Sequence, residues 1–202
     1  FQNTGLIAAN GDFSVETGLF KNNAYDLSEE GYLLKGIRAG GNMLFSVTGS
    51  DFDNRGGYIE SLSDLSIFST HSLNNISGAI LSLGAFTLRM EDAVLNSGGI
   101  LYSDETLAIT TSQLDNFAGT IASAMTLTIT ANTLDNQGDI NAGQFIKSIY
   151  GDVIISATES LTNSGGIFSG QNATLTTDRL ATNGGWIGSA GNLLINTPTV
   201  NN

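Results

Sequence analysis

Apolar residues recur along this chain in a fixed order, about every 20 positions. Each copy opens with an apolar residue, followed two or three positions later by Asn and then by Gly, except that the copy at Phe20 departs from the pattern after Asn22. The copies start at Phe1, Phe20, Phe52, Leu73, Val94, Leu114, Leu134, Leu161 and Leu180. Such a constant period identifies a repeat protein, in which one unit buries its apolar residues only by stacking on its neighbours.

Two further apolar signals follow in each copy, an Ile and then a pair of apolar residues separated by one position. The Ile residues from Ile59 to Ile140 are spaced by 21, 20, 21 and 19 positions. Alternation of this kind is typical of strands with one face buried, so each copy predicts three short strands. We expect these residues to point inward: Ile7, Ile37, Ile59, Ile80, Ile100, Ile121, Ile140, Ile167, Ile187, and the pairs Phe13/Val15, Met43/Phe45, Leu65/Ile67, Phe86/Leu88, Leu107/Ile109, Leu127/Ile129, Val153/Ile155, Ala173/Leu175 and Leu193/Ile195.

Stacking these strands predicts an all-β fold, a single-stranded parallel β-helix of about nine coils over residues 1–202. Coils about 4.8 Å apart pair their backbone groups with the coils above and below, which gives a rod of roughly 40 Å. The Asn of each copy is expected at a turn, where Asn tolerates positive φ, and in a ladder along the stack. The predicted ladder contains Asn3, Asn54, Asn75, Asn96, Asn116, Asn136 and Asn163.

A leucine-rich repeat is the alternative interpretation of the period, because it also places Leu and Asn at fixed spacing. That repeat needs Leu-x-x-Leu-x-Leu and usually a helical segment. No stretch here has helical periodicity, and Gly interrupts every copy. The all-β solenoid is therefore favoured.

Two copies exceed the period, through insertions near residues 23–36 and 141–152. Insertions in solenoids project as loops, and loops carry function more often than the scaffold does. The candidate partner-binding residues are Tyr25, Tyr32, Lys35, Arg38, Phe145 and Tyr150. The alternative is a tolerant loop whose apolar residues pack back on the rod.

Charge and composition exclude several classes of function. The chain has 7 Lys and Arg against 19 Asp and Glu, a net charge of −12, which argues against nucleic acid and anionic membrane surfaces as partners. No apolar run reaches the roughly 20 residues that span a bilayer, so membrane insertion is not expected. The absence of Cys excludes disulfides and thiolate metal sites.

The chain offers little to build catalysis or cofactor binding. Asp53, Asp115 and Asp135 share one repeat slot, and a carbohydrate-active β-helix enzyme would need such carboxylates beside a cation. The slots of Asp115 and Asp135 lack one, so a solvated turn position is the simpler interpretation. His71 is the single His, so no metal site or catalytic triad that depends on several His or on a matched His pair can be assembled. Trp186, beside Gly185 in a predicted turn, is a lone candidate sugar platform. We therefore predict no catalytic residue, metal or cofactor.

The unit Leu-x-Asn-x-Gly-Gly-x-Ile-x-Ser, followed by an apolar-x-apolar strand, resembles the filamentous haemagglutinin repeat. The best-matching stretch runs from Val94 to Ile187, and Leu161 to Ile167 is very close to the family pattern. The resemblance covers nearly the whole chain except the two insertions.

This resemblance implies a right-handed parallel β-helix that forms the stem of a two-partner-secretion exoprotein at the surface of a Gram-negative bacterium. Such stems are exported through an outer-membrane partner transporter and present an adhesive region or a toxin of contact-dependent growth inhibition. The absence of Cys suits unfolded export. The sequence begins at the first residue of a coil, ends at Val200 to Asn202 as a tenth copy would start and has no evident cap, so we expect one segment of a longer array. We further expect a monomer, with a host or bacterial cell-surface receptor as its partner.

Overall fold

The structure is a computed structural model that describes residues 1–23, 25–27, 33–138, 145–182 and 184–201. Parallel strands wind into a β-solenoid of about nine coils, and the described residues contain no helix. This confirms the predicted all-β solenoid with three strands in a coil. Stacking equivalent strands creates three flat faces along the rod.

The first face, which we call the asparagine face, contains the strands that include the repeat Asn or lead into it. Its strands pair in parallel from one coil to the next. They are β1 (Gln2–Asn3), β4 (Phe20–Asn22), β8 (Phe52–Asp53), β11 (Leu73–Asn74), β14 (Ala93–Leu95), β17 (Gln113–Phe117), the second halves of β19 (Leu127–Gln137) and β21 (Val153–Asn163), β24 (Arg179–Ala181) and β27 (Thr199–Asn201).

The second face, the isoleucine face, forms a separate sheet. Its strands are β2 (Leu6–Ala9), β6 (Leu33–Ala39), β9 (Tyr58–Ser61), β12 (Ala79–Ser82), β15 (Ile100–Ser103), β18 (Thr120–Ser123), β20 (Phe145–Ser148), β22 (Gly166–Ser169) and β25 (Trp186–Ser189). The short strand β5 (Asp26–Leu27) pairs antiparallel with the start of β6, so the described residues 26 and 27 of the first insertion take part in strand pairing beside this face.

The third face, the paired face, carries the apolar-x-apolar strands. They are β3 (Phe13–Thr17), β7 (Met43–Val47), β10 (Leu65–Ser69), β13 (Phe86–Met90), β16 (Leu107–Thr110), the first halves of β19 and β21, β23 (Ala173–Thr177) and β26 (Leu193–Asn196). Because β19 and β21 continue into the asparagine face, these two faces belong to one 17-stranded sheet.

The core is a central column of stacked apolar side chains, and most predicted inward positions are buried. The apolar pairs from Met43/Phe45 to Ala173/Leu175 are at most 2% exposed. In the first coil Phe13 and Val15 are partly buried, whereas Leu193 and Ile195 in the last described coil are exposed. Ile7 and Ile187 pack partly buried against the column.

The predicted inward position of Ile100 is wrong. Ile100 is 43% exposed, and the neighbouring Leu101, which is fully buried, lies in register between Ile80 and Ile121. In this coil, as in its neighbours, the inward slot is the second residue after the turn glycine. Ile100 and Leu101 are both apolar, so only the strand pleat distinguishes them.

The second insertion lies earlier in its coil than predicted. Ile146 fills the slot between Ile121 and Ile167 and is fully buried, so 145–148 belong to the rod as β20. Ile140, to which the spacing assigned this slot, lies outside the described residues.

Candidate functional site

The predicted asparagine ladder residues lie stacked inside the rod. From Asn3 to Asn136, each side-chain amide Nδ2 donates to the Oδ1 of the Asn in the next coil, over 2.7–2.9 Å, and Asn163 donates to the Trp186 carbonyl at 3.2 Å. The ladder residues are at most 5% exposed. In order, the chain of amides runs through Asn3, Asn22, Asn54, Asn75, Asn96, Asn116, Asn136 and Asn163. It therefore includes Asn22, whose coil departs from the repeat immediately afterwards.

The role expected of these Asn residues in accommodating positive φ falls instead on later turn residues. Among the described non-glycine residues, only Ser77 and Ala118 have positive φ, at 54° and 53°. Both stand two positions after a ladder Asn, where Gly56 and Gly98 stand in other coils. The ladder Asn supplies buried hydrogen bonds, and the residue two positions later supplies the left-handed bend.

A second buried polar column, of serines, was not among the predicted sites. Ser61, Ser82, Ser103, Ser123, Ser148 and Ser169 are in register at the ends of isoleucine-face strands and are buried. Their hydroxyls donate to turn carbonyls, as Ser103 does to Gly84 at 2.7 Å. The Ile-x-Ser element of the repeat was the signal that could have revealed this column.

The described candidate residues of the first insertion, Tyr25, Lys35 and Arg38, lie on the isoleucine face. The Tyr25 ring is stacked on Tyr58, with 5.2 Å between centroids, and Tyr25 is 51% exposed. Burial raises the pKa of Tyr58 to about 12, and the Glu60 carboxylate adds to that shift. Arg38 forms a 2.9 Å ion pair with Glu60.

Lys35 and Tyr32 are the other two candidate residues of the first insertion. Lys35 is exposed and lies in β6, paired in register with Asp26. Tyr32 lies outside the described residues. The structure thus brings Tyr25 and Arg38 to the outer surface of β9, through Tyr58 and Glu60.

The candidate residues of the second insertion occupy the rod and an adjoining turn. Phe145 opens β20, and the Lys147 ammonium lies 5.0 Å from the centre of its ring. Tyr150 is in the turn that follows β20 and is 67% exposed. Strands β6 and β20 are separated by five coil steps, or roughly 24 Å. The described residues of the two insertions therefore do not form one site.

Phe145 and Lys147 also line a cleft with two residues that the prediction did not group with them. Phe168 and Trp186 stack at 5.5 Å between centroids and 12° between planes. We call Phe145, Lys147, Ile149, Phe168 and Trp186 the aromatic cleft. Trp186, predicted in a turn, is the first residue of β25. The cleft draws on three coils, so only the register could reveal it.

The acidic slot holds two different arrangements. Asp115 and Asp135 pair in register, and they accept hydrogen bonds from the Phe117 amide at 3.0 Å and the Gln137 side chain at 2.7 Å. The buried Oδ1 of Asp135 has no hydrogen-bond partner among the described residues. The described part of the chain contains no cluster of three or more His, Asp or Glu side chains placed to hold a metal.

Asp53, in the same slot, forms a bidentate ion pair. Arg55 donates from Nε and Nη2 to the two carboxylate oxygens, at 2.9 and 2.7 Å. This guanidinium holds the pKa of the Asp53 carboxyl below its usual value. Asp53 is thereby fixed as an ionised structural acceptor.

The fold defines a class, the parallel β-solenoid built from stacked copies of one repeat. The family model described as haemagglutinin repeat matches residues 1–42, 36–165 and 137–202, which together span the chain. The chain belongs to the haemagglutinin-repeat family, a non-enzymatic, adhesin-type repeat whose proteins are generally secreted or surface-exposed. Comparisons with curated proteins and with solved structures gave no match. No helix in the described ranges is long and apolar enough to cross a membrane.

Proposed function

We propose that this chain is a non-enzymatic structural stem segment of a secreted filamentous exoprotein at the surface of a Gram-negative bacterium. The stem holds an adhesive or toxin module away from the cell. One observation carries the proposal: the buried amide ladder runs unbroken from Asn3 to Asn163, alongside strand pairing on all three faces. Hydrogen bonds that join side chains from coil to coil stabilise a continuous rod, and a stem requires such a rod.

Export through an outer-membrane partner transporter is part of this proposal. A chain that is threaded unfolded cannot carry a preformed disulfide, and this sequence has no Cys. Stacking supplies the stability that small extracellular domains often obtain from disulfides. The folded rod acts as a monomer.

Shortening the stem in phase tests its role. Deleting residues 54–162 from the full exoprotein joins Asp53 to Asn163 and removes five coils while keeping the repeat slots aligned. We expect a filament shorter by roughly 24 Å in electron micrographs, with its distal module still displayed. An unchanged filament length would contradict the stem function.

The enzyme alternative has its own test. Pectin and related polysaccharides are incubated with the intact protein and with an Asp115→Asn/Asp135→Asn double variant. The stem proposal expects no turnover by either protein. Turnover that the double variant loses would establish catalysis and refute the non-enzymatic assignment.

A second candidate function is receptor binding through the insertions. It is favoured by the exposure of Tyr25, at 51%, and Tyr150, at 67%. Deleting 141–152 would remove the buried β20 residue Ile146, so substitutions are the better test. Unchanged cell binding by a Tyr25→Ser/Tyr150→Ser variant of the full exoprotein would contradict this function.

A further inference from the structure

We propose that the aromatic cleft binds one acidic saccharide unit, such as a uronic acid residue of a glycan. This inference goes beyond the stem function and does not depend on it. It rests on three features: the stacked rings, the glycines that shape the cleft, and the ammonium group at its side.

The register of three neighbouring strands places the aromatic residues of the cleft side by side. Strands β20, β22 and β25 place Phe145, Gly166 and Trp186 at one outward position, and Lys147, Phe168 and Gly188 at the next. The Phe168 and Trp186 rings are nearly parallel, at 12°. Trp186 is 47% exposed, so part of this wall remains open to solvent.

Two glycines keep the cleft open. A Cβ on Gly188 would lie 2.6 Å from the Trp186 ring, so the indole lies where any side chain at position 188 would collide with it. Gly166 lies between Phe145 and Trp186 in register, and no side chain separates these residues there. The resulting cleft measures about 390 Å³, within the size range of small-ligand sites.

Lys147 supplies the charge. Its ammonium lies 5.0 Å from the Phe145 ring centre, and no carboxylate in the described part of the chain forms an ion pair with it. A cation on the edge of an aromatic site can attract a carboxylate while the rings contact apolar surface. The occupant therefore combines one negative charge with a flat apolar face.

An acidic sugar has this combination. A pyranose ring presents C–H groups on one face and hydroxyls around its edge, so it can pack on aromatic rings while its hydroxyls stay in water. The open cleft suits such a ligand better than a peptide side chain that must be buried completely. A nucleic acid strand would need several cations, whereas the net charge is −12.

The single Trp of the chain reports directly on this cleft. The indole N–H resonance of Trp186 is followed by NMR during titration with a hyaluronan tetrasaccharide, which carries glucuronate. The matched neutral probe is the same tetrasaccharide with its carboxylates methyl-esterified. We expect the acid to shift the resonance and the ester to bind about fivefold more weakly, as loss of one exposed charge pair implies.

Variants separate the contributions of charge and stacking. Lys147→Gln should bind the acid and the ester equally. Trp186→Ala, followed through the Gly188 amide, should bind neither. Phe68→Ala removes an exposed aromatic from the paired face and should bind both probes as the unsubstituted chain does. Far-ultraviolet circular dichroism checks that each variant keeps its strands.

Several outcomes would overturn the proposal. These are no shift at the highest soluble concentration of the acid, equal affinity for acid and ester, or binding unaffected by Trp186→Ala. Self-association in sedimentation velocity that Trp186→Ala removes would identify a second copy as the occupant, which also overturns it.

Discussion

At the residue scale, each ladder Asn forms buried hydrogen bonds that neither an Asp nor an Ala side chain could form in its place. The Asn96 amide donates to Asn116 at 2.8 Å and lies 3.2 Å from the carbonyls of Gly99 and Thr120, while its Oδ1 accepts from Asn75 at 2.8 Å. Asp lacks the N–H donors, and Ala lacks both functions. In a buried position, each unsatisfied partner costs free energy.

Replacing one ladder Asn should therefore destabilise the rod. For Asn96→Ala we expect the free energy of unfolding to fall by about 2–4 kcal/mol, because the Asn75 amide loses its acceptor and Asn116 its donor. Urea denaturation followed by circular dichroism measures it. Asn132→Ala, at an exposed position, is the control and should change little. Equal effects of the two substitutions would show that the ladder adds nothing.

The bidentate ion pair of Asp53 predicts a pH effect of defined sign. In Arg55→Met the carboxyl loses its cation, so its pKa should rise, as followed by carbon NMR of the Asp53 carboxyl. A depressed folded-state pKa gives stability that is present above the unfolded pKa and lost as pH falls through the folded pKa. The substitution should therefore lower the free energy of unfolding at neutral pH, and its difference from the unsubstituted chain should shrink as pH falls through the folded-state pKa of Asp53. Arg179→Met, in a distant coil, should leave the Asp53 titration unaltered.

At the element scale, the two glycines of the turn Asn96-Ser97-Gly98-Gly99 serve different purposes. Gly98 has φ of +61°, and a Cβ there would meet no atom closer than 3.7 Å. A Cβ on Gly99 would lie 2.2 Å from the Asn75 carbonyl oxygen. The first glycine eases a backbone conformation, and the second makes room for the adjacent coil.

Alanine substitution should separate these purposes. We expect Gly98→Ala to cost about 1 kcal/mol, the penalty of a left-handed L-residue. Gly99→Ala should cost about 3 kcal/mol or more, since backbone must move. Thermal or urea unfolding of the two variants gives the comparison. The reverse order of stabilities would refute the steric explanation.

The strand pattern could be predicted because the period repeats three apolar signals at fixed positions. Ile100 was misassigned because Leu101 is also apolar, and the choice depends on the pleat. The position of β20 was missed because the insertion displaced the Ile signal. Phe168 and Trp186 are far apart in sequence, and only stacking in register makes them neighbours. Periodicity thus predicts the core, whereas the outer surface depends on register.

At the scale of the whole molecule, protection should vary along the rod. In the isolated chain of residues 1–202, inner coils have neighbours on both sides, whereas Leu193 and Val200 in the last described coil are 44% and 61% exposed. For this isolated chain we expect amides of β25 and β26 to exchange with solvent at least about tenfold faster than those of β15 and β16, because a coil with a neighbour on only one side opens locally. Hydrogen exchange read by mass spectrometry tests this, and uniform rates would indicate that the rod opens only as one unit.

All seven bonds of the amide ladder point the same way along the axis. Every coil of the ladder thus offers a hydrogen-bond donor to the next coil and an acceptor to the previous one. A gene that gains or loses the DNA for one complete coil joins matching sides again, whereas a shift by one residue would turn inward side chains outward. The reach of such a protein can therefore evolve in steps of one coil thickness without redesign of its interior.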